Sequence, residues 1–261
     1  MRGQRRRDHG TPEPPGVGRS SVNLKLAAVQ MPVARELDAN LPKMLRYIDR
    51  ASSDEADLLL FPEGALSGYH GEIDQEQVED GLSQLRRACA AGGVCALVGT
   101  SYREGQSVYN QVRVYDDGGR YLGAHSKTLT TGGDLQWTTP GGGTQVFEHK
   151  GLCFGAMICN DLWCTPPCPA PDTHLVQQIA QAGGKAVFHA INSGADQGYL
   201  KWHTAHQELY ARVYGVYILA ANAAQPSAVN APTGLLSPRG EWLAQAERLG
   251  EQYITHDIEV D

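Results

Sequence analysis

Glu63, Lys127 and Cys159 differ in chemical type and lie far apart in the chain, yet each closes or follows a short apolar run. Glu63 follows DLLLFP, Lys127 follows YLGAHS, and Cys159 ends LCFGAMIC. Together they make a possible acyl-transfer set. A neutral cysteine is a weak nucleophile, because only a few per cent is thiolate at pH 7. A nearby carboxylate removes the proton, and a nearby cation stabilises the negative charge that results. On this scheme Cys159 attacks an amide or nitrile carbon while Glu63 takes the thiol proton. Lys127 and the backbone N–H of Asn160 hold the tetrahedral oxyanion. Glu63 then passes the proton to the departing ammonia or amine and later activates water. Taken singly, each residue has a plainer reading: a solvated loop carboxylate, a surface lysine, an inert core thiol.

The scheme requires elements that bring the three ends together. Apolar runs at 24–31, 57–61, 95–102, 109–115, 120–126, 152–159, 185–192 and 216–223 read as strands, with further strands near 232–237 and 252–258. Leu37, Leu41, Met44, Leu45 and Ile48 share one helical face, and Val78, Leu82, Leu85 and Cys89 share another. Helices are also predicted around 172–182 and over Lys201–Tyr214. The alternation predicts a mixed-sheet α/β domain. In such sheets chemistry collects beyond the C-terminal strand ends, where all three candidates fall.

The local contexts are more specific than the residues alone. LLLFPEGALSGY, AHSKTLT and FGAMICNDLW occur in this order, and ARVYGVYILAANA follows at 211–223. The chain resembles the nitrilase, or carbon–nitrogen hydrolase, superfamily from about Leu24 to about Ile258. The resemblance implies a four-layer αββα sandwich that assembles as a homodimer or larger homo-oligomer. It implies Glu63 as general base, Lys127 as oxyanion stabiliser and Cys159 as nucleophile. Many members carry a second glutamate six residues before the proline of a T-P-G turn; here Asp134 holds that place before Thr139-Pro140-Gly141. Asn160 stands where an aromatic residue is frequent, and His125 where tyrosine or arginine is common. Both departures are expected to alter the pocket wall. ICNDLW is also similar to the glutaminase part of glutamine-dependent NAD synthetases, but the SGGxDS phosphate loop of their synthetase part does not occur here.

Composition narrows the partners. The 261 residues are 41% hydrophobic and 20% charged, with a net charge of −7. That balance describes an ordered globular chain with neither a basic face for nucleic acid nor an apolar run long enough to span a membrane. The first 23 residues hold five arginines against Asp8 and Glu13, a charge of 5 − 2 = +3, which leaves −7 − 3 = −10 on the remainder. Residues 1–23 read as a flexible basic tail and 24–261 as the hydrolase domain. No apolar signal core follows the arginines, so a cytoplasmic location is expected. The acidic body disfavours a strongly anionic substrate unless Lys127 or Arg212 supplies local positive charge.

The six cysteines call for no metal. Cys153 and Cys159 sit in one extended run, roughly 20 Å apart at the usual strand rise, and cannot share an ion. Cys89 and Cys95 read as packed thiols. Cys164 and Cys168 read as a free loop pair, since no secretion signal supports a disulfide. No cofactor motif appears. Tyr69, Trp137, Trp163 and Asn192 flank the catalytic strand ends and are candidates to line a substrate pocket, each with core or rim packing as its plainer alternative. The substrate expected is a small amide, carbamoyl compound or nitrile. A binding protein that keeps the fold without turnover is the alternative from another class.

Overall fold

Strands whose alternate residues are both apolar need cover on two faces, and the chain supplies it with a second sheet on one side and helices on the other. The computed structural model describes residues 21–163 and 174–261. The first sheet is founded on β1 (Val22–Pro32). The helices α1 (Leu37–Ser53) and α2 (Gln75–Gly92) carry the chain over to the parallel strands β2 (Leu58–Leu60) and β3 (Cys95–Glu104). Two antiparallel strands, β4 (Ser107–Tyr115) and β5 (Tyr121–Ser126), complete that edge.

The second sheet runs from β6 (Val146–His149) through β7 (Leu152–Ile158), β8 (Ala186–Ile191) and β9 (Tyr217–Ala224) to β10 (Gly234–Leu236) and β11 (Trp242–Gln245). The β7, β8 and β9 strands are parallel. Around them lie α3 (Asn160–Trp163), α4 (Leu175–Gln181) and α5 (Leu200–Tyr214). Finally β12 (Gln252–Val260) returns to pair antiparallel with β1 over Val22–Gln30. A short parallel bridge, Met31 to Ala223 and Pro32 to Ala224, joins the two sheets.

The layers follow from the period of two. Ala27, Val29 and Met31 face the helices α1 and α2, together with Leu59 and Phe61. Leu24, Leu26 and Ala28 point the other way, with Leu58, Leu60 and Leu97, into the space between the sheets. There they meet the second sheet, whose far face is covered by Leu175, Val176, Ile179 and Ala211 of α4 and α5. The order is helices, sheet, sheet, helices: the αββα sandwich. Full burial of each β2 leucine is worth about 1.5–3 kcal/mol, and so the strand that delivers Glu63 is rigidly seated.

Two details differ from the sequence reading. The strand β1 starts at Val22, so Val22 and Asn23 belong to the sheet rather than to the basic tail. Residues 1–20 of that tail lie outside the described residues, as do Cys164, Cys168 and the first part of the helix predicted at 172–182. The strands β6 and β11 were not anticipated; each is four residues long, too short for a periodic signal.

Candidate active site

Cys159 sits on a sharp elbow between β7 and α3. Its φ is +46°, a left-handed conformation that costs a non-glycine residue about 1–3 kcal/mol unless its surroundings enforce it. The enforcement comes from β8. The Cys159 N–H donates to the Ala190 carbonyl at 2.8 Å. Its own carbonyl accepts from His189 Nε2 at 3.0 Å. A carbonyl only accepts, so Nε2 carries the proton; burial pushes the His189 pKa down to about 3 and the ring stays neutral. Both backbone ends of Cys159 are therefore pinned.

Glu63 is delivered by a different device. After β2 the chain crosses over β3, with Phe61 N–H donating to Leu97 at 3.0 Å and Leu66 N–H to Gly99 at 3.0 Å. The crossing is so close that a Cβ on Gly99 would lie 2.0 Å from the Pro62 carbonyl oxygen. Lys127 leaves the end of β5 with its N–H on the Asn110 carbonyl and its own carbonyl on the Gly141 N–H, both at 2.8 Å. Its Nζ lies 2.8 Å from Glu63 Oε1 and 2.9 Å from Asp134 Oδ2.

These three charged side chains are almost completely buried. Asn110 Nδ2 donates to Glu63 Oε1 at 2.8 Å, whereas Glu63 Oε2 has no hydrogen-bond partner among the described residues. Asp134 also accepts from the Tyr69 hydroxyl, and from the Thr131 N–H at 2.7 Å. Burial drives the Glu63 carboxyl above its ordinary range, against the pull of Lys127. Burial also acts to raise Asp134, but Lys127 and the bonds from Tyr69 and Thr131 hold it low. For Lys127, burial favours the neutral amine, and the charges of Glu63 and Asp134 overcome it, so the ammonium persists. Burial and the Glu63 charge push the Cys159 thiol up; Lys127 and the Asn192 backbone N–H oppose them. The resting group is a thiol rather than a preformed thiolate.

Asp161 is a residue that the sequence reading passed over. It is buried, and its Oδ1 accepts from the N–H groups of Thr128 at 2.9 Å and Leu129 at 2.7 Å. Its Oδ2 accepts from Ile158 N–H at 3.0 Å and from His125 Nε2 at 2.7 Å. One carboxylate thus ties the Lys127 segment to the Cys159 elbow. Burial raises Asp161, yet the hydrogen bonds prevail and its pKa is lowered. His125, expected at the pocket wall, lies buried at this tie instead. The signal available in the sequence was a lone acid inside the apolar stretch ICNDLW.

A cavity of about 650 Å³ opens above the cysteine. Tyr69, Cys159, Asn160, Trp163 and Asn192 line it, together with Thr131, Ser193, Tyr199, Trp202, His203 and Asn230. Glu63 and Lys127 do not line it, but the charges of both act on the Cys159 thiol. Trp137 is outside this cavity; it packs edge-on against Tyr69, ring centroids 5.4 Å apart. Arg212, the other candidate for local positive charge, is exposed on α5 and does not line it. Cys89 and Cys95 are buried, and burial pushes their thiols up, Cys89 to about 12. Among the described residues no group of three His, Cys, Asp or Glu side chains is placed to hold a metal, and no helix is long and apolar enough to cross a membrane.

Residues 25–261 match the family model described as carbon–nitrogen hydrolase. The chain is 29% identical over 190 residues to the glutamine-dependent NAD(+) synthetase of Xanthomonas campestris, covering 68% of this chain and 32% of that protein. It therefore spans about a third of the length of that relative. A nitrilase of Pyrococcus abyssi is 28% identical over 179 residues, 65% of each chain. The fold is shared with the crystal structure of an amidase from Nesterenkonia sp., with a TM-score of 0.79 and 20% identity over 90% of both chains. With that family model matched over nearly its whole length, the chain belongs to the carbon–nitrogen hydrolase family.

Proposed function

We propose that the enzyme hydrolyses the C–N bond of a small linear amide through a Cys159 thioester. The observation that carries this reading is the buried Glu63–Lys127–Asp134 cluster whose charges act on the Cys159 thiol, with Glu63 Oε2 left without a hydrogen-bond partner among the described residues. That oxygen accepts the thiol proton as sulfur attacks the amide carbon. The oxyanion forms against Lys127 Nζ and the N–H of Asn160, which as the first residue of α3 lacks an intrahelical partner. Glu63 then protonates the nitrogen, the C–N bond breaks, and ammonia or an amine leaves. Water attacks the thioester and gives its proton to Glu63. Collapse of the second tetrahedral intermediate frees the carboxylic acid, and the proton returns to sulfur.

The Nesterenkonia amidase supports the reading. One of its variants carries the acetamide moiety of fluoroacetamide covalently on the active-site cysteine, and another is complexed with butyramide. Nitrile hydrolysis is the second reading, favoured by the similarity to the Pyrococcus nitrilase; N-carbamoyl hydrolysis would use the same groups. The deciding experiment is ammonia release across a panel of simple amides, carbamoyl compounds and nitriles, for the unmodified enzyme and for Cys159→Ala. The variant should release none. Turnover that survives in Cys159→Ala would remove the nucleophile from the mechanism, and a panel with no turnover at all would favour a binding protein.

A further inference from the structure

The cavity wall narrows the substrate class, an inference that rests on the amidase reading above. Trp163 packs against His203 with ring centroids 4.1 Å apart and planes tilted by 31°, and Tyr199 stacks on His203 at 5.9 Å. His203 is almost wholly buried, and its Nδ1 engages the Asn230 carbonyl at 2.8 Å. Since that oxygen only accepts, Nδ1 bears the proton and Nε2 is left as the acceptor edge of the ring. Burial keeps the imidazole neutral, with the neighbouring His206 acting in the same direction. No described lining residue then carries a positive charge. The floor is negative, because Lys127 is shared by two carboxylates: +1 − 2 = −1.

We propose that this site selects uncharged amides whose far end carries a hydrogen-bond donor, read by His203 Nε2 on the aromatic wall of Trp163 and Tyr199, and that it rejects amides bearing a carboxylate there. A carboxylate would bring acceptors to an acceptor, in a site whose floor is already negative. A terminal carboxamide, hydroxyl or ring N–H supplies the missing donor. Glutamine and ω-amides of dicarboxylic acids fall on the rejected side.

Glutaramide and glutaramate form a matched pair, equal in length and differing only in a carboxamide for a carboxylate. Their binding to Cys159→Ala at neutral pH, followed by calorimetry, tests the selection without turnover. Glutaramide should bind about ten- to a hundredfold tighter, the span of one lost hydrogen bond to a charged or buried group. Equal binding, tighter glutaramate, or no binding of either overturns the inference. His203→Phe in the same background keeps a ring in the stack and removes the acceptor. It should bring the preference for glutaramide over pentanamide towards one; an unchanged preference removes His203 from recognition. If that variant does not fold, the matched pair on intact His203 still decides. Ammonia release by the unmodified enzyme is recorded in parallel: its absence refutes the amidase reading, whereas turnover combined with a carboxylate preference refutes only the selectivity.

Discussion

Asp134→Asn tests the logic of the buried cluster most directly. Asp134 Oδ2 lies 2.9 Å from Lys127 Nζ. At an effective dielectric of about 20, opposite charges at that distance attract by about 6 kcal/mol. Most of this is offset, since Glu63 still neutralises Lys127 from 2.8 Å and the asparagine keeps the shape. Its Oδ1 can take the donors from Lys127 and Thr131, and the Tyr69 hydroxyl can turn to accept from Nδ2. A net loss of about 2–3 kcal/mol is therefore expected, or roughly 30- to 150-fold in kcat/KM. The direction of the pH effect is fixed too. The Asp134 charge helps hold the Glu63 carboxyl up, while Lys127 pulls it down. Without that charge, Lys127 bears on Glu63 alone, Glu63 becomes a weaker base, and its pKa falls. The acid limb of the kcat/KM profile, read from ammonia release, should move to lower pH while the maximum drops. A limb that stays or moves to higher pH, or a loss below about threefold, would refute this account of Asp134.

Two further perturbations address the scaffold. In Asp161→Asn the amide cannot serve the donors from Thr128, Leu129, Ile158 and His125 as the carboxylate does, so one donor pair faces an N–H₂ group; about 3 kcal/mol should be lost, lowering Tm by roughly 6–12 °C. Because the folded pKa of Asp161 is depressed, the carboxylate's contribution is present at neutral pH and fades as pH falls through that value; thermal melts should show the variant and the unmodified protein converging in acid, and a gap that widens would contradict the sign. Gly99→Ala should displace the Pro62–Glu63 crossing, at a cost of about 1–3 kcal/mol, and depress ammonia release even where circular dichroism shows the fold retained; full activity would mean that the crossing is not tight.

The strands that carry the chemistry were legible in the sequence, because a buried strand leaves a local trace. DLLLF, LCFGAMIC and KAVFHAIN are apolar runs bounded by polar or turn residues, and each became a strand with its polar neighbour just past the end. The αββα order and the grouping of Glu63, Lys127 and Cys159 were legible only through the resemblance in their surrounding segments. What left no local trace was placed by pairing across the sheets. Asp161 and His125 are separated by 36 residues and meet because the end of β5 lies beside the Cys159 elbow. His189 looked like any residue of an apolar strand until β8 set its ring on the Cys159 carbonyl. Trp137 and Trp163 had equal claims as pocket aromatics; the packing put one against Tyr69 outside the cavity and the other in the cavity wall. Residue types and runs decided the reaction chemistry available to this chain. Only the tertiary structure decided which carboxylates share Lys127, which backbone bonds hold Cys159 in a left-handed turn, and which rings meet the substrate, because each depends on contacts between strands distant in sequence.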